Sequence, residues 1–283
     1  MALTVRTNIA SLSAIHQLNR TQGDLTTSLE RISSGLRVNR SADDAAGLSV
    51  ASRMNSDNTS LAQAMRNTND GISMIQTAEG GLTELNNILV RMRELSVQAS
   101  NETYNSTDRS MIATEMTHLQ AEYSRIVTTS NFNRTDLLNS TDTSFGIQVG
   151  IQNTTDDRIS INLSSLAAAA SDVGLNTLFS TSSIAQAGQL TQARINIDLI
   201  DTALDGISTR RARLGALQNR LESALNYSGR SLENLSASQS RILDVDYASE
   251  SANLARFQIQ QQASVAALAQ AKSMQQSIIS LLS

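Results

Sequence analysis

Apolar residues near the start of the chain recur in alternating steps of three and four. Ile15, Leu18, Gln22, Leu25, Leu29, Ile32 and Leu36 form one seam, and six of the seven are apolar. That spacing predicts an amphipathic helix with a coiled-coil stripe. From Ser41 to Gln76 the pattern loosens but stays helical in composition. Asp43 and Asp44 predict a helix start there, because carboxylates favour helix N-termini. Glu79-Gly80-Gly81 predicts a break, since paired glycines weaken a helix interior. Leu82–Ala99 predicts a further helix with Leu85, Ile88, Leu89, Met92 and Leu95 on one face. After the polar stretch Asn101–Asp108, Asp108 predicts the cap of a helix reaching about Thr129, with Ile112, Met116, Leu119 and Ile126 inward.

The period then changes from helical to alternating. Ile147, Val149 and Ile151 alternate with polar neighbours, as do Ile159, Ile161 and Leu163, and Asn153–Asp157 separates the two runs. This predicts a β-hairpin with Asp156-Asp157 in its turn. Residues 164–183 are Ser/Ala-rich and read as loop with short helix. Heptads return over 197, 200, 204, 207, 211, 214, 218, 221, 225, 228, 232, 235, 239 and 242, where ten of fourteen residues are apolar. A helix of about 50 residues would extend roughly 75 Å. The last segment, from Ser251, carries a seam of Leu254, Phe257, Leu268, Ala271, Ile278 and Leu282, interrupted by Gln261, Ser264 and Gln275. Alanine covers much of its other face. Together these elements predict a mainly α fold. The N- and C-terminal segments would form a long antiparallel helical rod or coiled-coil bundle, with a small β-hairpin region from the middle of the chain at its far tip. The terminal seams have too few partners within one chain, so their ordering should be coupled to assembly with neighbouring copies.

Composition narrows the function. The 283 residues include no proline, no cysteine and no tryptophan, and Ser, Thr, Asn and Gln supply 107 of them. Without proline the heptad segments can run unbroken. Without cysteine there is no disulfide framework, zinc ribbon or thiol nucleophile. The net charge is −4 with both signs dispersed, so no basic patch marks a nucleic-acid partner. The longest apolar runs, Leu166–Ala170 and Val265–Ala269, are too short for a membrane-spanning helix. The first residues lack an apolar signal-peptide core, so if the protein leaves the cell it needs a route without a classical cleaved signal. His16 and His118 are isolated, and the acid pairs Asp43-Asp44 and Asp156-Asp157 lack further ligands, so no metal, cofactor or catalytic site is expected.

Several segments carry a family resemblance. Ser33-Ser-Gly-Leu-Arg-Val-Asn-Arg-Ser-Ala-Asp-Asp-Ala-Ala-Gly-Leu48 resembles the signature of bacterial flagellins. So do Arg66–Gly81, Arg91–Ala99, Phe132-Asn133, Leu214–Arg220, Ser240–Ala248 and Ile278–Leu282. The matches cover roughly residues 1–140 and 186–283 in unbroken order. The resemblance implies five segments: an N-terminal inner-core helix (1–45), N-terminal shell helices (46–140), a β-hairpin and loop (141–185), a C-terminal shell helix (186–240) and a C-terminal inner-core helix (241–283). It implies a flagellar filament subunit that acts as a propeller for swimming and is no enzyme. The gap between Leu163 and Leu190 is too short for an outer domain, so this looks like a minimal form.

The implied partners are further copies of the chain in a helical homopolymer, an export chaperone, the filament cap and hook-associated junction proteins. The implied location is the extracellular filament, with a periplasmic filament left open. The candidate polymerisation surface is Leu12, Ile15, Leu18, Leu25 and Leu29 with Leu254, Phe257, Leu268, Ile278 and Leu282. Flagellins sensed by the flagellin-sensing Toll-like receptor share an arginine, a leucine and a glutamate that fall on Arg91, Leu95 and Glu115, although Val90 replaces the usual glutamine. Thr141, Ser144, Ser180 and Ser183 are candidate glycosylation sites. A hook–filament junction protein and a generic coiled-coil interaction protein are the alternative readings.

Overall fold

A computed structural model describes residues 8–139, 144–162 and 189–282, with side chains in the last stretch described from 193 to 274. Among the described residues the helices are α1 (Ile9–Ser34), α2 (Ala45–Ala99), α3 (Ser106–Thr129), α4 (Gln189–Leu243) and α5 (Tyr247–Leu282). Strands β1 (Asn131–Phe132) and β2 (Thr135–Asp136) pair antiparallel, as do β3 (Ser144–Gln148) and β4 (Arg158–Asn162). The chain divides into two compact units, one from residues 1–58 with 233–283 and one from residues 59–232.

In the unit built from the chain ends, α1 and α5 pack antiparallel. Asn8 Nδ2 donates to the Ala271 carbonyl at 3.0 Å, and the Tyr247 hydroxyl donates to the Ile32 carbonyl at 3.0 Å. Asn8 also caps α1 by accepting from the Ser11 N–H. Gly35 ends the helix at φ 74°, a left-handed position that suits glycine. The segments after α1 and before α5 then zip together: Leu36 bridges Asp244, and the Val245 N–H donates to the Gly35 carbonyl. Asp44 caps α2 by accepting from the Gly47 N–H at 2.8 Å. A Cβ on Gly47 would stand 2.2 Å from the Asp44 carboxylate, so a larger residue there would force the capping side chain to shift. Asp43 serves the preceding loop instead. It accepts from the Arg40 and Asn39 N–H groups, and those bonds hold its carboxyl below the usual range.

The second unit has its core between α2, α3, α4 and the β3–β4 hairpin. Leu82, Leu85, Leu89 and Met92 of α2 meet Tyr123 and Val127 of α3, Ile200, Ile207, Leu214 and Leu221 of α4, and Ile159 and Ile161 of β4. A smaller cluster of Leu95, Ala99, Ile112, Ala113, Met116 and Ala193 lies beside the α2–α3 turn.

Four expectations need correction. Helix α2 runs unbroken through Gly80-Gly81. A Cβ on Gly81 would lie 2.9 Å from Leu138 Cδ1 and 2.9 Å from Ser130 Oγ, so this glycine admits a close neighbour rather than ending the helix. Asn105, not Asp108, is the N-cap of α3, and Asp108 returns a bond to the Asn105 N–H to complete a capping box. The hairpin is not at a tip: a Cβ on Gly71 would lie 3.2 Å from Ile147 Cγ1, and the Val149 carbonyl accepts from Ser228. It therefore docks mid-way along α2 and near the C-terminal end of this unit's α4 segment. Its paired strands also stop at Gln148 and Asn162, leaving Ile151 exposed, while Leu163 lies outside the described residues. The β1–β2 turn was not anticipated. Asn133 and Arg134 both have positive φ (47° and 65°), the geometry of a two-residue turn whose twist suits a hairpin.

Candidate self-assembly surface

The seam through which α1 meets α5 follows only half of the expected column. Leu18, Leu25 and Ile32 are half-buried as anticipated. The alternate positions shift by one residue, to Ala14, Thr21 and Ser28 in place of Ile15, Gln22 and Leu29. Thr21 and Ser28 are each 1% exposed. The Thr21 hydroxyl folds back onto the Gln17 carbonyl at 2.9 Å. Displaced to the flank, Leu12, Ile15 and Leu29 stay 51%, 38% and 50% exposed.

Helix α5 presents its anticipated seam to α1, with Leu254, Phe257, Gln261, Ser264, Leu268 and Ala271 half-buried. Gln261 Nε2 donates to Gln22 Oε1 at 2.6 Å, so the polar interruption of one seam meets that of the other. The reverse face holds Ala252, Ala255, Ile259, Ala263 and Ala266, all exposed, with Ile259 at 66%. Val265 and Met274 are exposed as well. Sequence reasoning named neither these three nor Ile9 as interface residues. The alanine spacing around Ile259 was the available signal. Between Tyr247 and Leu282 only Glu250, Arg256 and Lys272 are charged. The side chains of Ile278 and Leu282 lie outside the described residues.

In α4 the column Ile200, Ile207, Leu214 and Leu221 is fully buried as anticipated, and Ser228 nearly so. Its companion column shifts by one residue, as in α1. Ala203 is 0% exposed while Leu204 is half-buried, and Arg211 is exposed beside Glu79.

The other candidates separate clearly. Arg91 and Glu115 pair across α2 and α3 at 2.7 Å, and Arg91 also reaches Glu94. Leu95 is 1% exposed in the small cluster, so its side chain offers no direct contact surface. Arg93 makes two bonds to Asp201 on α4, which hold the Asp201 carboxyl below its ordinary value. Ser144 is exposed at the start of β3, while Thr141, Ser180 and Ser183 lie outside the described residues. Among the described residues no helix is long and apolar enough to cross a membrane.

Residues 5–143 match the bacterial flagellin N-terminal helical region, and residues 197–282 match the bacterial flagellin C-terminal helical region. The chain belongs to the bacterial flagellin family. A flagellin of Halalkalibacterium halodurans is 39% identical over 99% of this chain and 100% of its own length. The flagellar filament core protein flaB2 of Brachyspira hyodysenteriae is 37% identical over 99% and 100%. A solved structure, a putative flagellar hook-associated protein from Vibrio parahaemolyticus, aligns with a TM-score of 0.59 over 71% of this chain and 100% of that one. At 11% identity that likeness is one of fold alone. The chain is thus a structural subunit that polymerises into the flagellar filament of swimming bacteria, and its place is the extracellular filament. The junction-protein and adaptor alternatives are not favoured.

Proposed function

We propose that α1 and α5 are the polymerisation elements of the filament, using the residues they leave unburied within one chain. The supporting observation is the split of each helix into two stripes. One stripe, Leu18, Leu25 and Ile32 with Leu254, Phe257 and Leu268, is spent on the α1–α5 pair. The other, Leu12, Ile15 and Leu29 with Ile259, Val265 and Met274, stays exposed. Fully burying one such side chain is worth roughly 1.5–3 kcal/mol. Six half-exposed ones can therefore supply several kcal/mol toward the cost of ordering a subunit.

Removing residues 251–283 tests this. The truncated chain should stay a soluble monomer in sedimentation and add to no filament seed under the electron microscope. Normal filaments from it would overturn the assignment.

Finer partners follow from the same surface. The α5 segment is the expected target of an export chaperone that holds it before assembly. The filament cap and the hook-associated junction proteins would meet the same terminal helices. Sensing by a host Toll-like receptor would rest on Arg91 and Glu115, with Leu95 acting only by packing beneath them. Glycosylation at Thr141, Ser144, Ser180 or Ser183 would appear as added mass on the native filament protein.

A further inference from the structure

The outer face of α4 carries a charge pattern that the fold does not use. Asp198, Asp205, Arg213 and Arg220 are all exposed. Asp198 and Asp205 lie opposite the fully buried Ile200 and Ile207, whereas Arg213 and Arg220 lie about 100° round the helix from the fully buried Leu214 and Leu221, along a neighbouring edge. Two other charge pairs bridge α2 and α4, Arg93 with Asp201 and Arg211 with Glu79. The four outer charges make no ion pair or side-chain hydrogen bond with any of the described residues. The two aspartates are seven residues apart, and so are the two arginines, which keeps each pair on one face. Fifteen residues separate Asp198 from Arg213 and Asp205 from Arg220, a distance of about 22 Å along the helix.

The aspartate edge finds no arginine in a parallel copy placed in register, because the two charge pairs sit at different heights along the helix. It attracts a parallel copy displaced by fifteen residues. That displacement sets Asp198 beside Arg213 and Asp205 beside Arg220. It also lays Tyr227, 74% exposed, over Ala212, where a small side chain leaves room. An open polymer of identical subunits needs a contact of this head-to-tail kind, in which each copy offers different patches to its two neighbours. An antiparallel copy centred on Thr209 also matches the charges, but that contact is two-fold and closes into a dimer. The filament role therefore selects the parallel arrangement.

We propose that a second copy of this chain lies along the outer face of α4, parallel and displaced by about 22 Å, and that these four charges fix the axial register between neighbouring subunits. Exposed ion pairs contribute little to raw affinity. Their effect is to penalise wrong registers and to steer approach. The proposal rests on the filament role.

Seeded growth followed by sedimentation tests it through the critical concentration. Asp205→Arg and Arg220→Asp alone should each raise that concentration about tenfold at low salt, and less at high salt. Both reversals in one chain should return it to within about twofold of the unaltered protein. A mixture of the two single variants should also grow, since each supplies what the other lacks. The cysteine-free background permits a second readout. With Asp205→Cys and Arg220→Cys in one chain, oxidising the filaments should give a ladder of dimers, trimers and longer species. Single reversals that grow like the unaltered protein would overturn the proposal. So would a double reversal no better than either single one, or cross-linking through Thr209→Cys that stops at dimers. Failure of the unaltered protein to grow from seeds would instead remove the filament role itself.

Discussion

Ile259 is 66% exposed on the side of α5 turned away from α1, and Ile259→Ala isolates what that side contributes. Burial of a whole isoleucine side chain is worth roughly 1.5–3 kcal/mol. Two-thirds of it remains available in the monomer, so assembly can gain about 1–2 kcal/mol there. Alanine keeps only the Cβ and forfeits most of that gain. The critical concentration of seeded growth should rise about tenfold, the equivalent of 1.4 kcal/mol. The monomer should barely notice, because little of the side chain is buried within it. Leu82→Ala provides the opposite case. Leu82 is fully buried in the other unit, so its truncation should cost the monomer about 2–5 kcal/mol and lower its melting temperature by several degrees. Circular dichroism melting and pelleting assays on both variants separate the two effects. An unchanged critical concentration for Ile259→Ala would refute the reasoning, as would a loss of monomer stability matching Leu82→Ala.

Two further perturbations probe the second unit. Tyr123 is 1% exposed, and burial pushes its phenol up to about 12 against the nearby Arg210 charge, which pulls the other way. The unfolded chain ionises near 10, so this stability is fully present below pH 10 and is lost as pH rises from about 10 to 12. The loss should approach about 3 kcal/mol, and Tyr123→Phe should flatten it in alkaline denaturation curves. The two adjacent glycines of α2 should respond in opposite directions. A Cβ on Gly80 meets nothing within 4 Å, so Gly80→Ala should raise monomer stability by about 0.8–1 kcal/mol. Gly81→Ala would press on the fully buried Leu138, and overpacking of about 1–3 kcal/mol should outweigh the helix gain and lower the melting temperature.

Heptad reading placed the α5 seam correctly, but in α1 and α4 it recovered one column and misplaced the other by a single residue. In α1 it chose Ile15, Gln22 and Leu29, where the pair uses Ala14, Thr21 and Ser28. The error has one physical cause. Apolar periodicity finds the larger side chains, but two helices of the same chain approach most closely where side chains are small. Ser28 makes the point sharply, since its hydroxyl is buried without a hydrogen-bond partner and no hydropathy pattern would place it inside. The glycine pair failed for a related reason. Local propensity sees two weak helix formers, whereas Gly81 is fixed by Leu138 and Ser130, which come from far along the chain. Asn105 and Asp108 form a capping box that is local and was legible, but the acidic residue was taken for the cap. The β1–β2 turn gave no apolar alternation because its paired strands are two residues long.

The displaced columns connect the fold to the filament. Had α1 paired with α5 through Ile15 and Leu29, the monomer would have buried more apolar area and kept less for its neighbours. Using Ala14, Thr21 and Ser28 instead gives a close but modest internal contact, with Leu12, Ile15 and Leu29 held to one side. Helix α5 repeats the division with a seam toward α1 and Ile259 among alanines behind it. Such a subunit is only partly satisfied alone, and the missing apolar cover can come from copies of itself. Non-directional burial of that kind would tolerate several axial offsets between copies. The separated charges on α4 would favour the one offset that pairs both aspartates with both arginines. Affinity and register would then reside on different helices, and each would be open to change without the other: Ile259→Ala should weaken growth at every salt concentration, whereas Asp205→Arg should weaken it chiefly at low salt.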